Sequence, residues 1–149
     1  MRRIAALLAV AVGLGVALPV APASATPAEM KMVHKINHIR HAYGLARLRP
    51  SFSLFVSAKL YSHRMMLSDY FGHLSRIPVA SRWRTAGETL EWHSGWRLSP
   101  RRAVGRWMAS APHRAVLLSS RFARIGVGRT RGLYGGRRAT MWVAHLGHR

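Results

Sequence analysis

Three side chains in this chain are of the types that hold metals or move protons, and each sits beside a chain break. They are His73 in Tyr70-Phe71-Gly72-His73, Glu88 in Ala86-Gly87-Glu88, and His113 in Trp107-Met108-Ala109-Ser110-Ala111-Pro112-His113-Arg114. Two imidazoles and a carboxylate gathered in one cleft can bind a divalent metal or pass a proton. The chain has no cysteine. No thiolate is therefore available as ligand or nucleophile, no disulfide staples the fold, and any metal must rest on His, Glu or Asp. Glu88 is one of only 4 acidic residues against 24 Lys and Arg.

Other chemistries find weaker support. Ser110 lies three residues before His113, yet no Gly-x-Ser-x-Gly elbow surrounds it, and a helical Ser after a Trp suits packing or capping. A glycosidase pair would need Glu88 and Glu91 to flank one sugar, and their spacing does not establish that. Trp107 and Trp142 sit on expected inward faces, whereas Trp92 and Trp96 are the better surface candidates for stacking on a ligand. His34, His38 and His41 share one helix face. That face opposes the apolar stripe, so it reads as solvated and gains charge as pH falls through about 6.5.

Three long helices, two shorter helical segments and a closing hairpin must position these residues. Met32, Val33, Ile36, Ile39 and Tyr43 give the apolar face of a helix over 28–43, closed by Gly44. A second helix over 52–68 buries Leu54, Phe55, Ala58, Tyr61, Met65 and Met66. Val79 to Thr85 reads as one or two helical turns. Ser99-Pro100 is an N-cap followed by proline at the first position, starting a third helix that turns Ala103, Val104, Trp107 and Met108 inward. That helix ends at Ala111-Pro112, and His113 to Leu118 forms a short helical segment. The pattern then switches to period two: Ile125 to Gly128 and Ala139 to Leu146 read as strands of a hairpin around Gly132-Leu133-Tyr134-Gly135-Gly136. Helices first and a hairpin last predict an α+β fold, helices packed on a small antiparallel sheet.

The N-terminus sets the compartment. Arg2 and Arg3 precede an uncharged apolar run from Ile4 to Val20, then Ala23-Ser24-Ala25. This is the layout of a secretory signal peptide over 1–25, leaving one domain over 26–149, secreted or associated with the cell envelope and not integral to the membrane. An uncleaved anchor is the alternative, weakened by Gly13, Gly15 and Pro19. The formal charge is +20, and without Arg2 and Arg3 the remaining 22 basic and 4 acidic side chains give about +18. Such a field favours anionic envelope polymers or lipid headgroups. No nucleic-acid-binding signature accompanies it, so no specific nucleic-acid partner is expected. Only Arg97, Arg101, Arg102 and Arg106 form a local basic cluster.

The ordered segments resemble the CAP superfamily, the SCP-like extracellular domains, and most of all its cysteine-free bacterial branch. Asn37-His38-Ile39-Arg40 with Gly44-Leu45 looks like the first-helix signature, and Leu54 to Met65 has the apolar spacing of the second helix. Tyr70 to His73, Ala86 to Leu90, Trp107 to Arg114, Ile125 to Gly128 and Trp142-Val143 follow in the family's order. The resemblance implies an α-β-α sandwich whose cleft is lined by two His and two acids, with zinc on the two His in some members. Carried over, these are His73 and His113 as metal ligands and Glu88 as the first acid. Ser110 stands at the second acid's place, and Thr89 replaces the usual Asn. Three functions follow as alternatives: a binding module with a metal-capable His-Glu-His cleft, a metal-dependent hydrolase of envelope polymers or lipids, or a protein acting through charge alone.

Overall fold

The computed structural model describes residues 24–77, 83–97 and 99–148. The apolar leader and most of the expected turn over 79–85 lie outside the described residues. Four helices and four strands follow in the order α1 (Pro27–Ala42), β1 (Arg49–Pro50), α2 (Phe52–Leu67), β2 (Thr85–Ser94), α3 (Pro100–Ala109), α4 (Ala111–Leu117), β3 (Arg124–Tyr134) and β4 (Arg137–His148).

The sheet order is β1-β3-β4-β2. The three long strands are antiparallel, and the short β1 lies parallel to β3, so the sheet is mixed rather than purely antiparallel. One side of the sheet carries α2, where Ala58, Tyr61, Met65 and Met66 pack on Leu90, Met141 and Val143. The other side carries α1, α3 and α4, where Met32, Ile36, Val104, Trp107 and Leu117 pack on Ile125, Val127, Trp142 and Leu146. This is the expected α-β-α sandwich.

The local signals explain most element boundaries. Thr26 and Glu29 cap α1 reciprocally, and Ser99 caps α3 ahead of Pro100. Ser110 both closes α3 and opens α4, so α4 starts at Ala111 and Pro112 lies inside its first turn. Tyr43, expected in the core, is instead exposed at the end of α1. Gly135 and Gly136, both at positive φ, make the two-residue turn that joins β3 to β4.

Gly126 and Gly128 set the distance between α2 and the sheet. A Cβ on Gly126 would stand 2.0 Å from the Phe55 backbone nitrogen, and one on Gly128 would stand 2.3 Å from the Ala58 backbone carbon. With no side chain in the way, α2 lies directly against β3. Side chains on α2 can then reach β4 behind it.

β2 is the element that periodicity did not disclose. Glu88, Leu90 and Trp92 alternate with Thr89, Glu91 and His93, so polar residues occur on both faces. The strand is nonetheless fully paired with β4, from Thr85↔His148 to Ser94↔Ala139.

Candidate functional site

Glu88 is the centre of the polar cluster, and cross-strand register selects its main partner. Glu88 on β2 lies opposite His145 on β4. Residues opposed in a sheet point to the same face, here the face covered by α2. His145 Nε2 stands 2.9 Å from Glu88 Oε2, and its Nδ1 stands 2.9 Å from Ser57 Oγ on α2. The Tyr61 ring stacks on His145 at 6.3 Å, and its hydroxyl donates to the Gly72 carbonyl. Burial first, then the charge of Glu88, pushes the Tyr61 phenol up to about 12. Tyr61 is thus a neutral donor at any physiological pH.

The other carboxylate oxygen faces outward. Glu88 Oε1 stands 2.9 Å from His73 Nδ1 and accepts the Leu74 backbone N–H at 3.1 Å. A carboxylate offers only acceptors, so the proton in each pair belongs to the imidazole. His73 therefore donates through Nδ1 and, when neutral, carries its lone pair on Nε2. His145 donates through Nε2 and, when neutral, accepts the Ser57 hydroxyl at Nδ1.

His113 joins from the other layer. It lies in the first turns of α4, and its ring centroid is 5.8 Å from that of His73. The meeting is possible because β2 is the edge strand: the loop after α2 and the start of α4 can approach around its free side. Arg40, fully buried in α1, holds α4 in place by donating to the carbonyls of Leu117 at 2.7 Å and Ser119 at 2.9 Å, and to that of Ala46 at 3.0 Å. Asn37 clamps Leu48 through both of its backbone groups. Asn37 and Arg40 of the first-helix signature are therefore structural. Burial, reinforced by the neighbouring His73, holds the His113 imidazole below the usual histidine range.

The three sequence-selected residues are thus together, but in a different arrangement from a carboxylate set between two cleft imidazoles. Glu88 lies between His73 and His145, and His113 meets the cluster through the His73 ring. His145 was missed because it lies in a run of strand residues that reads as core. Its one sequence-level signal was a titratable residue at a fully inward strand position.

Donor chemistry decides what a metal would meet here. Among the described residues no three His, Asp or Glu side chains converge as a ligand set. Three of about four lone-pair sites on Glu88 are taken by protein donors and its side chain is only 6% exposed, so Glu88 is placed to orient a ligand rather than to be one. Two imidazoles on one tetrahedral zinc at ~2.0–2.1 Å per nitrogen have centroids roughly 5 Å apart. His73 and His113 stand at 5.8 Å, so a small closure of the two rings would bring them to that spacing. The donor types are compatible with a zinc held by two imidazoles and solvent.

The rival sites separate. Glu91 points to the opposite face of β2 from Glu88, three residues along a strand, and pairs with Arg106 at 2.9 Å. The two carboxylates cannot flank one sugar. Ser110 is a junction residue between two helices, with its backbone N–H bonded to the Arg106 and Trp107 carbonyls. His34, His38 and His41 are exposed as expected, along a groove also lined by Lys35, Arg47 and Arg49. Trp107 and Trp142 are fully buried, while Trp92 and Trp96 are 39% and 46% exposed.

Comparison with known proteins agrees with this architecture. The profile of the cysteine-rich secretory protein family, CAP, matches residues 33–146. The uncharacterized protein YkwD of Bacillus subtilis is 32% identical over 117 residues, covering 72% of this chain and 44% of that protein. The chain thus spans under half the length of that relative. Among solved structures, an outer surface protein of Borrelia burgdorferi superposes with a TM-score of 0.67 at 19% identity, covering 85% of this chain and 96% of that one. An extracellular SCP-domain protein of Bacillus anthracis gives 0.65 at 21% identity, covering 81% of this chain and 40% of that one. At such identities the structural matches speak for the fold alone.

Proposed function

From the premise that this chain belongs to the cysteine-rich secretory protein (CAP) family, in a form without cysteines, we propose that it is a secreted, envelope-associated binding module whose cleft offers His73 and His113 to zinc, with Glu88 as the orienting carboxylate. The observation that carries this reading is the Glu88 hydrogen bond to His73 Nδ1, which leaves Nε2 for a metal on a ring whose centroid is 5.8 Å from that of His113. A carboxylate behind a histidine fixes its tautomer and raises its basicity toward a metal. A depressed imidazole at His113 stays neutral, the form that binds metal.

Binding is favoured over hydrolysis by the same bonds. A general base needs a free oxygen within reach of the water it activates. Glu88 already accepts three protein donors. When bound, zinc would supply Lewis acidity at the cleft mouth, and this chain's residues would hold and orient it. The leader-like N-terminus supports export, and among the described residues no helix is long and apolar enough to cross a membrane. The charge of +20 supports attraction to an anionic envelope.

Calorimetric titration of zinc into the purified protein tests the reading. The expected result is micromolar or weaker binding that disappears in a His73→Ala/His113→Ala double variant. Unchanged zinc binding in that variant would place the site elsewhere.

A further inference from the structure

A second pocket lies just beyond the far end of β2, away from the histidine cleft. It encloses about 440 Å³ and is lined by His93, Ser94, Gly95, Trp96, Arg97, Arg102 and Arg138. Seven residues of extended chain separate Glu88 from Gly95, roughly 23 Å at a strand's rise per residue. The two sites are therefore distinct.

The pocket is held by fixed backbone. Gly95 turns the chain at φ +84, a conformation that side chains other than glycine's disfavour. Its N–H donates to the Arg138 carbonyl at 2.5 Å, and its own carbonyl accepts the hydroxyl of the fully buried Thr140 at 2.8 Å. The turn that presents Trp96 and Arg97 is thus bonded to β4 through both of its backbone groups. Arg138 lies over one face of Trp96, 4.7 Å from the ring centroid, and Trp96 remains 46% exposed.

Charge is unbalanced at this place. All four acids of the chain have partners elsewhere: Glu29 with Thr26, Arg129 and Lys59, Asp69 with the Gly135 N–H, Glu88 with the histidines, and Glu91 with Arg106. Among the described residues Arg97, Arg102 and Arg138 make no ion pair, and all three are exposed. An indole face beside three guanidiniums matches a ligand with an apolar ring face and an anionic substituent. Guanidinium forks take a carboxylate bidentately, as they do a phosphate, and the indole face adds a requirement for a ring that a bare phosphate polymer lacks.

We propose that this pocket binds an acidic sugar unit, a hexuronate within an anionic polysaccharide, stacked on Trp96 with its carboxylate taken by Arg97, Arg102 and Arg138. The proposal deepens the envelope-binding reading, on which it rests, by giving that attraction a place and a chemistry.

Polygalacturonate, polyphosphate of matched charge and neutral dextran, titrated at moderate salt, separate the two ideas. Polyphosphate reports the general cationic field, and preference for polygalacturonate reports the pocket. Trp96→Ala should weaken polygalacturonate about tenfold, the order of losing one stacked aromatic face, and leave polyphosphate unchanged. Arg97→Ala/Arg102→Ala should abolish the preference with no loss of thermal stability, since both side chains are exposed. Equal loss of both polymers, or no effect of Trp96→Ala, would overturn the pocket while leaving charge-driven association standing. Absence of binding to either anionic polymer would overturn both. Binding of dextran as strong as that of polygalacturonate would contradict the role of the carboxylate.

Discussion

The inner and outer halves of the histidine cluster are built from the same residue types and behave differently. Inside, Ser57, His145 and Glu88 form a closed chain between α2 and the sheet, with His145 fully buried. Outside, His73 has more than half its side chain in solvent, bonds to Glu88 and packs beside the ring of His113. Glu88 belongs to both halves, one oxygen to each. The difference teaches that a carboxylate can be fixed from behind so that a solvent-facing imidazole is held in one tautomer. The inner half builds the site, and the outer half is free to bind.

The largest effect on this division should come from the helix seat. Gly126→Ala forces a methyl into the backbone of α2 and should destabilise the fold by about 3 kcal/mol or more, since neither backbone can yield without the other. Thermal denaturation measures this, and a loss below ~1 kcal/mol would mean α2 is free to shift. His145→Ala should follow, costing about 2–3 kcal/mol by leaving Ser57 and a buried Glu88 oxygen unpaired. Its zinc affinity should also fall, because His73 loses its fixed carboxylate.

Glu91 gives a smaller, pH-dependent comparison. Burial raises its carboxyl, and Arg106 only partly offsets that rise. A folded pKa above the unfolded value means the folded state binds more protons between the two, so stability falls as pH rises through that window. Glu91→Gln should flatten this decline just above the ordinary carboxylate range, read as Tm against pH. An unchanged slope would remove Glu91 as its source. The smallest effect on stability is expected from His73→Ala, within ~0.5 kcal/mol for an exposed side chain, even as zinc binding is lost.

How far the sequence disclosed this site follows from which contacts are local. Helices α1 to α3 and the hairpin were legible because capping residues and apolar spacing act within a few positions, as Thr26 with Glu29 and Ser99 with Pro100 show. His73, Glu88 and His113 were legible through residue type and the family's order of segments. β2 was not, because Thr89, Glu91 and His93 on one face and Glu88 on the other blur the alternation that marks a half-buried strand. His145 was hidden for a related reason: its role depends on the register Glu88↔His145, a pairing across 57 residues that no local pattern encodes. Arg40 looked like part of a signature and proved to be a buried clamp on three carbonyls.

The claim that Glu88 orients both halves is tested most directly by long-range ¹H–¹⁵N NMR of the histidine rings at neutral pH. His73 should carry its proton on Nδ1 and His145 on Nε2. A His73 ring protonated on Nε2 alone would contradict the account, because its Nδ1 could not then donate to Glu88 and Nε2 would have no lone pair to offer a metal.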